Sequence, residues 1–117
     1  MIVPKVQRYQ PQLIMVSAGY DIHWIDELAQ MQVTTTGLAE MAKIIRGLAA
    51  ESCGGKMVFV LEGGYHLEAL STSVKATFDV LLGKDKIDDV LGPPKKRVSN
   101  PDVLSLIRQL KEIHQLY

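Results

Sequence analysis

The chain of 117 residues has a single cysteine, Cys53. It cannot pair within the chain, so a disulfide scaffold is excluded, and a lone thiol fits a reducing, cytoplasmic setting. Charge of one sign is not in excess either: 13 basic and 13 acidic residues cancel. That balance offers no basic surface for nucleic acid and no acidic tail for a charged partner. Long apolar runs are missing; none approaches the roughly 18 residues that a membrane-spanning helix needs. No membrane partner is therefore expected. The opening stretch, Met1-Ile2-Val3-Pro4-Lys5-Val6-Gln7-Arg8, lacks the basic-then-apolar order of a secretory signal. There is no internal repeat and no low-complexity segment. What is present is an ordinary globular composition, 47% hydrophobic and 22% charged, at a length suited to one small domain.

Two short apolar runs stand out. Leu13-Ile14-Met15-Val16-Ser17-Ala18 lies between Pro11 and Gly19, and Lys56 to Leu61 lies between two glycine pairs. Their length, branched residues and flanks predict strands. Between them, Leu38, Met41, Ala42, Ile45, Leu48 and Ala49 recur at three and four residues, which predicts an amphipathic helix from Gly37 to Ala50. Thr34, Thr35 and Thr36 are its candidate N-caps, and Gly54-Gly55 ends it. A second helix is expected from Leu67 to Leu82, with Leu70, Val74, Phe78 and Leu81 on its packed face and Gly83 at its end. Residues 3–9 suit a short helix with Pro4 in its first turn. Residues 22–35 read as an irregular segment with room for one helical turn, and residues 84–99 as a polar connection. A last helix is expected over 101–114, capped by Asn100, with Pro101 at its first position and Val103, Leu104, Ile107, Leu110 and Ile113 as a core or interface stripe.

Strand, helix, strand, helix is the βαβ pattern of α/β folds, so the two strands should be parallel with a right-handed crossover. Ligands of such sheets lie at the carboxyl ends of the strands. Asp21 and Tyr65 fall just past those ends. A carboxylate can hold a metal and a phenol can steady an oxyanion, so the pair points to metal-assisted hydrolysis. Strands this continuously apolar are normally covered on both faces, yet the rest of the chain offers little to cover them. The chain therefore reads as the C-terminal part of a larger α/β domain.

Ser17-Ala18-Gly19-Tyr20-Asp21-Ile22-His23, with Asp26 and the later Leu61-Glu62-Gly63-Gly64-Tyr65, resembles the zinc-dependent histone deacetylase family. The nearer branch is class II and bacterial deacetylase-like, with acetoin-utilisation and acetylpolyamine amidohydrolase relatives. The resemblance runs from about Val3 to Leu82. It implies the arginase/deacetylase α/β fold, a mostly parallel sheet with flanking helices. It also implies Zn2+ held by Asp, His and a second Asp, with Asp21 matching the second Asp. Tyr65 matches the catalytic tyrosine that donates its hydroxyl to the oxyanion. The implied substrate is acetylated lysine or an acetylated polyamine.

The family's Asp-x-His ligand pair and paired-histidine base have no counterpart in this chain. Asp21-Ile22-His23 looks like Asp-x-His but aligns with the later motif, where the aspartate alone is a ligand. Asp26-Glu27-Leu28 stands where the family often has Asp-Pro-Leu. These departures lead to the expectation of one zinc ligand and one oxyanion donor, with no turnover by the chain alone. The alternatives are a non-catalytic interaction module, self-associating through an exposed sheet, or one half of a split deacetylase completed by an N-terminal half. An arginase-type manganese hydrolase ranks last, for want of its carboxylate clusters.

Other residues carry quieter expectations. His23 is expected as a loop histidine near the site mouth, rather than a second ligand or base. Tyr20 and Trp24 are expected as packed aromatics rather than channel walls. Asp26 should orient its own loop through backbone hydrogen bonds, and Glu62 should be a supporting acceptor. Cys53 has no histidine nearby in sequence and is not expected to be a nucleophile. Lys95-Lys96-Arg97, next to Pro93-Pro94, reads as a solvated turn rather than a localisation signal.

Overall fold

The computed structural model describes residues 1–96 and 102–116. Its elements are α1 (Ile2–Tyr9), β1 (Ile14–Gly19), α2 (Thr35–Cys53), β2 (Met57–Gly63), α3 (Leu67–Leu81) and α4 (Val103–Ile113). β1 and β2 pair in parallel, from Ile14 opposite Met57 to Ala18 opposite Leu61. The register then slips, and Gly19 faces Gly63. Glu62 is the extra residue, so a bulge re-aims the chain at the carboxyl end of the pair, where such bulges commonly serve a site.

Helix ends follow their chemistry. Thr34 caps α2 by accepting from the Gly37 N–H, and Gly54 closes it in the left-handed region at φ 62°, where glycine carries no Cβ penalty. The helix is longer than the apolar periodicity alone indicates, because Thr35 is buried at one end and Cys53 at the other. β2 likewise runs on through Glu62 to Gly63.

α2 and α3 pack on the sheet face that carries Val16, Ala18 and Phe59. Ala18, Tyr20 and Leu38 are buried together there, with Leu70 and Val74 against them. A second cluster joins Ala39 and Ala42 of α2 to Ala76 and Val80 of α3. This corrects part of the expected face of α3: Leu70 and Val74 pack as expected, but Phe78 does not. Its buried residues are Ala69, Ser73, Ala76, Thr77, Asp79 and Val80, while Phe78 is 60% exposed. Small side chains let the two helices approach closely, and that approach turns Phe78 out of the packed face while Leu70 and Val74 stay in it. Asp79 accepts from both Lys75 and Lys84 at 2.7 Å, which ties the end of α3 to the following segment.

The opposite sheet face is bare: Met15, Val58 and Val60 are exposed. Strands that read as covered on both faces are covered on one. The whole chain carries 8374 Å² of accessible surface, against about 6,300 Å² for a folded monomer of this mass. Its radius of gyration is 15.3 Å, where a compact domain of this length gives about 13 Å.

Residues 22–34 form turns and a bridge between His23 and Val33, with no helical turn before α2 begins at Thr35. Residues 84–96 are more than a polar connection. Ile87 packs on the Ala39–Val80 cluster, the Trp24 indole N–H donates to the Gly92 carbonyl at 2.8 Å, and Asp89 accepts from the Thr36 N–H at 3.1 Å. The segment is strapped across the start of α2. α4 is capped by Asp102, which accepts from the Ser105 N–H, not by Asn100; Asn100, Pro101 and Arg97 lie outside the described residues. None of the α4 stripe is buried.

Candidate functional site

The bulge brings Gly19 and Gly63 side by side, and the residues just beyond them form the site. Asp21 is half-buried, and its carboxylate lies over both glycines. A Cβ on Gly63 would fall 2.6 Å from Asp21 Oδ1, and one on Gly19 2.9 Å. Two glycines therefore make the space that the carboxylate fills. It has no hydrogen bond or ion pair among the described residues, so its lone pairs are available.

Tyr65 follows Gly64, whose φ of 134° belongs to the region favouring glycine. The phenol is 64% exposed. It lines an open groove with Ile25, Asp26, Glu27, Leu28 and His66. Asp21 is not part of that lining. The structure thus puts Asp21 and Tyr65 at adjacent strand ends, while only Tyr65 faces the groove.

Asp26 connects the two loops. Its Oδ2 accepts from the Tyr65 N–H at 2.7 Å and the His66 N–H at 2.9 Å, and its Oδ1 accepts from the Leu28 N–H at 3.0 Å. The residue is 4% exposed. These donors, that of Tyr65 foremost, hold the Asp26 carboxyl below the usual carboxylate range against the opposing effect of burial. The expected loop-orienting bond is the one to Leu28; those to Tyr65 and His66 cross to another element. Their donors lie 39 and 40 residues away, and no local pattern announces them. His66 has no such sequence signal either. It caps α3 through Nδ1, which accepts from the Ala69 N–H, a task more often given to Ser, Thr, Asp or Asn.

His23 is not at a site mouth. It is fully buried. The Ile25 N–H donates to Nδ1 at 3.3 Å, so the neutral ring carries its proton on Nε2 and donates to Thr35 Oγ1 at 3.2 Å. Both nitrogens are engaged, which leaves none for a metal or a base. Burial, the leading cause, lowers its pKa below the usual 6.5.

Tyr20 is a packed aromatic, with its hydroxyl 3.0 Å from Thr77 Oγ1. Trp24 is half-buried, stacked beside His23 and bonded to Gly92. Glu62 accepts from the Ser17 hydroxyl at 3.1 Å, a bond across the open sheet face. Cys53 is buried, its thiol directed to the carbonyls of Ala49 and Lys56. Lys95 and Lys96 are exposed. No group of three or more His, Cys, Asp or Glu gathers among the described residues. Asp21 is therefore not part of a group of three such side chains among them.

The chain is thus an α/β unit with Asp21 and Tyr65 just past the carboxyl ends of a parallel strand pair, where ligands of such sheets lie. A model of the histone deacetylase domain matches residues 1–81, and the chain belongs to that family of hydrolytic deacetylases. It is 47% identical over 118 residues to "Histone deacetylase 14, chloroplastic" of Arabidopsis thaliana, covering 99% of this chain and 28% of that protein. It is 40% identical over 93 residues to "Polyamine deacetylase HDAC10" of Homo sapiens, covering 80% of this chain and 13% of that protein. The fold aligns with the crystal structure of the HDA15 HD domain at a TM-score of 0.73 and 30% identity, over 97% of this chain and 29% of that one. The chain thus spans less than a third of the length of these relatives, and within that span the deacetylase fold is retained.

Proposed function

We propose that this chain is the C-terminal segment of a zinc-dependent deacetylase domain that hydrolyses N-acetyl amides, on acetyl-lysine or an acetylated polyamine. The observation that carries the reading is the Gly19–Gly63 pairing. It leaves an unpartnered Asp21 carboxylate at one strand end and Tyr65 just past the other.

In this reading Asp21 is one zinc ligand, and a carboxylate suits that ion. Zinc held there supplies Lewis acidity toward the amide carbonyl and a water of lowered pKa. Tyr65 donates its hydroxyl to the oxyanion of the tetrahedral intermediate, a donor of a kind worth about 3 kcal/mol. The other ligands and the general base come from another segment or chain, since one carboxylate does not hold zinc tightly. The substrate class draws support from relatives named as histone and polyamine deacetylases. We also propose residence in the cytoplasm, a reducing setting that suits the free, buried thiol of Cys53. The "chloroplastic" relatives make imaging of a fluorescent fusion its direct test.

The test of function is hydrolysis of an acetyl-lysine peptide and an acetylpolyamine, with added zinc. The chain alone should be inactive, and activity should appear when the ligand-bearing remainder of a deacetylase domain is supplied. There, Tyr65→Phe should cost on the order of 10²–10³-fold in kcat. Full activity of Tyr65→Phe would remove the donor role.

The bare face of Met15, Val58 and Val60 favours a second reading, an interaction module or one half of a split enzyme. Size exclusion tests the module, and co-purification with a chain carrying Asp-x-His and paired histidines tests the split enzyme. Self-association that Val60→Lys abolishes supports the module; a clean monomer counts against it.

A further inference from the structure

Among the described residues the Tyr65 hydroxyl has no hydrogen-bond partner, the residue is largely exposed, and it follows two glycines. Its backbone is held instead by a carboxylate from another loop. We propose that Asp26 is a positioning residue for Tyr65, whose buried carboxylate pins the Tyr65 and His66 amides and so sets where the phenol is presented. The inference rests on the reading of Tyr65 as the oxyanion donor.

The pin is built from the interior outward. His23, buried and bonded to Thr35 at the start of α2, anchors the loop after β1. Its carbonyl accepts from the Asp26 N–H at 2.9 Å. The Leu28 N–H occupies Oδ1, which leaves Oδ2 facing the two amides after Gly64. Bonds to an ionised acceptor are the stronger kind, and this acceptor is shielded from water. The two amides belong to Tyr65 and to the cap of α3, so one oxygen fixes both the catalytic turn and the helix that follows it. Alanine cannot do this, since it has no oxygen to offer. Asparagine is the milder change: its one oxygen can still face the two amides, but it is neutral and sets the NH2 group against the Leu28 N–H.

The test is a double-mutant cycle on kcat and KM in the catalytically active form of the protein, with Asp26→Ala, Tyr65→Phe and both together. Asp26→Ala should lower kcat on the order of 10²-fold through misplacement of the phenol, with KM within about twofold. In the Tyr65→Phe background it should cost less than about twofold more, because the group it positions is already gone. Losses that multiply, or a loss confined to KM, overturn the proposal. A silent Tyr65→Phe removes the donor reading instead, and the pin is then judged by amide exchange. The Tyr65 and His66 amides should be protected in the wild-type chain and released by Asp26→Ala. Should Asp26→Ala fail to fold, unprotected amides at both positions of the wild-type chain overturn the proposal, and protected ones support it.

Discussion

The carboxylate of Asp21 occupies the space that a side chain on Gly63 would need, 2.6 Å from the position of its Cβ. The glycine after the bulge is thus fixed by a neighbour across the sheet rather than by its own backbone angle. Gly63→Ala should displace the carboxylate and leave the fold, since the atom it meets is the tip of a movable side chain. The expected result is metal affinity of the assembled deacetylase reduced on the order of 10-fold or more. The urea unfolding midpoint should hardly move. Chelator competition measures the first and denaturation the second.

Gly64 should behave in the opposite way. Its φ of 134° disfavours any Cβ, and one placed there meets Leu70 Cδ1 at 2.8 Å and Tyr20 Cβ at 3.1 Å. Gly64→Ala should destabilise the chain by about 1–3 kcal/mol, read as a lower urea midpoint at unchanged m-value.

His23 gives the fold a pH dependence whose sign is fixed by burial. Its folded pKa is depressed, so below about pH 6.5 the unfolded chain binds a proton that the folded chain refuses. Stability is complete above that pH and falls as pH drops from about 6.5 toward the folded pKa. Urea unfolding at about pH 7.5 and about pH 5.5 should show the decline, and His23→Leu should flatten it. The same variant should lose about 1–3 kcal/mol at the higher pH, because Thr35 Oγ1 and the Ile25 N–H lose their partner. An unchanged slope in His23→Leu would assign the pH dependence to other groups.

Trp24 is the one tryptophan of the chain, so its fluorescence reports on the strap. Asp89 holds residues 84–96 to Thr36, and the Trp24 indole bonds to Gly92 within that strap. Asp89→Ala should shift Trp24 emission to the red and cost about 0.5–2 kcal/mol through the lost cap-like bond. Unaltered emission would mean that Trp24 is held without Asp89.

Sequence by itself determined the elements and the ends that matter. Apolar runs bounded by glycine and proline marked both strands, three- and four-residue recurrence marked α2, and the βαβ order carried Asp21 and Tyr65 to one end of a parallel pair. These are short-range signals, set by backbone sterics and by the periods of strand and helix. Tertiary structure alone decided the rest. It turned Phe78 out of the packed face of α3 because α2 presents Ala39 and Ala42 there. It buried His23, whose bond to Thr35 and bridge to Val33 form only once the loop has folded back. It joined Asp26 to Tyr65 across 39 residues, an interaction whose partner is chosen by the parallel sheet and by no local pattern. Periodicity records which residues avoid water; the sheet register decides which polar groups meet.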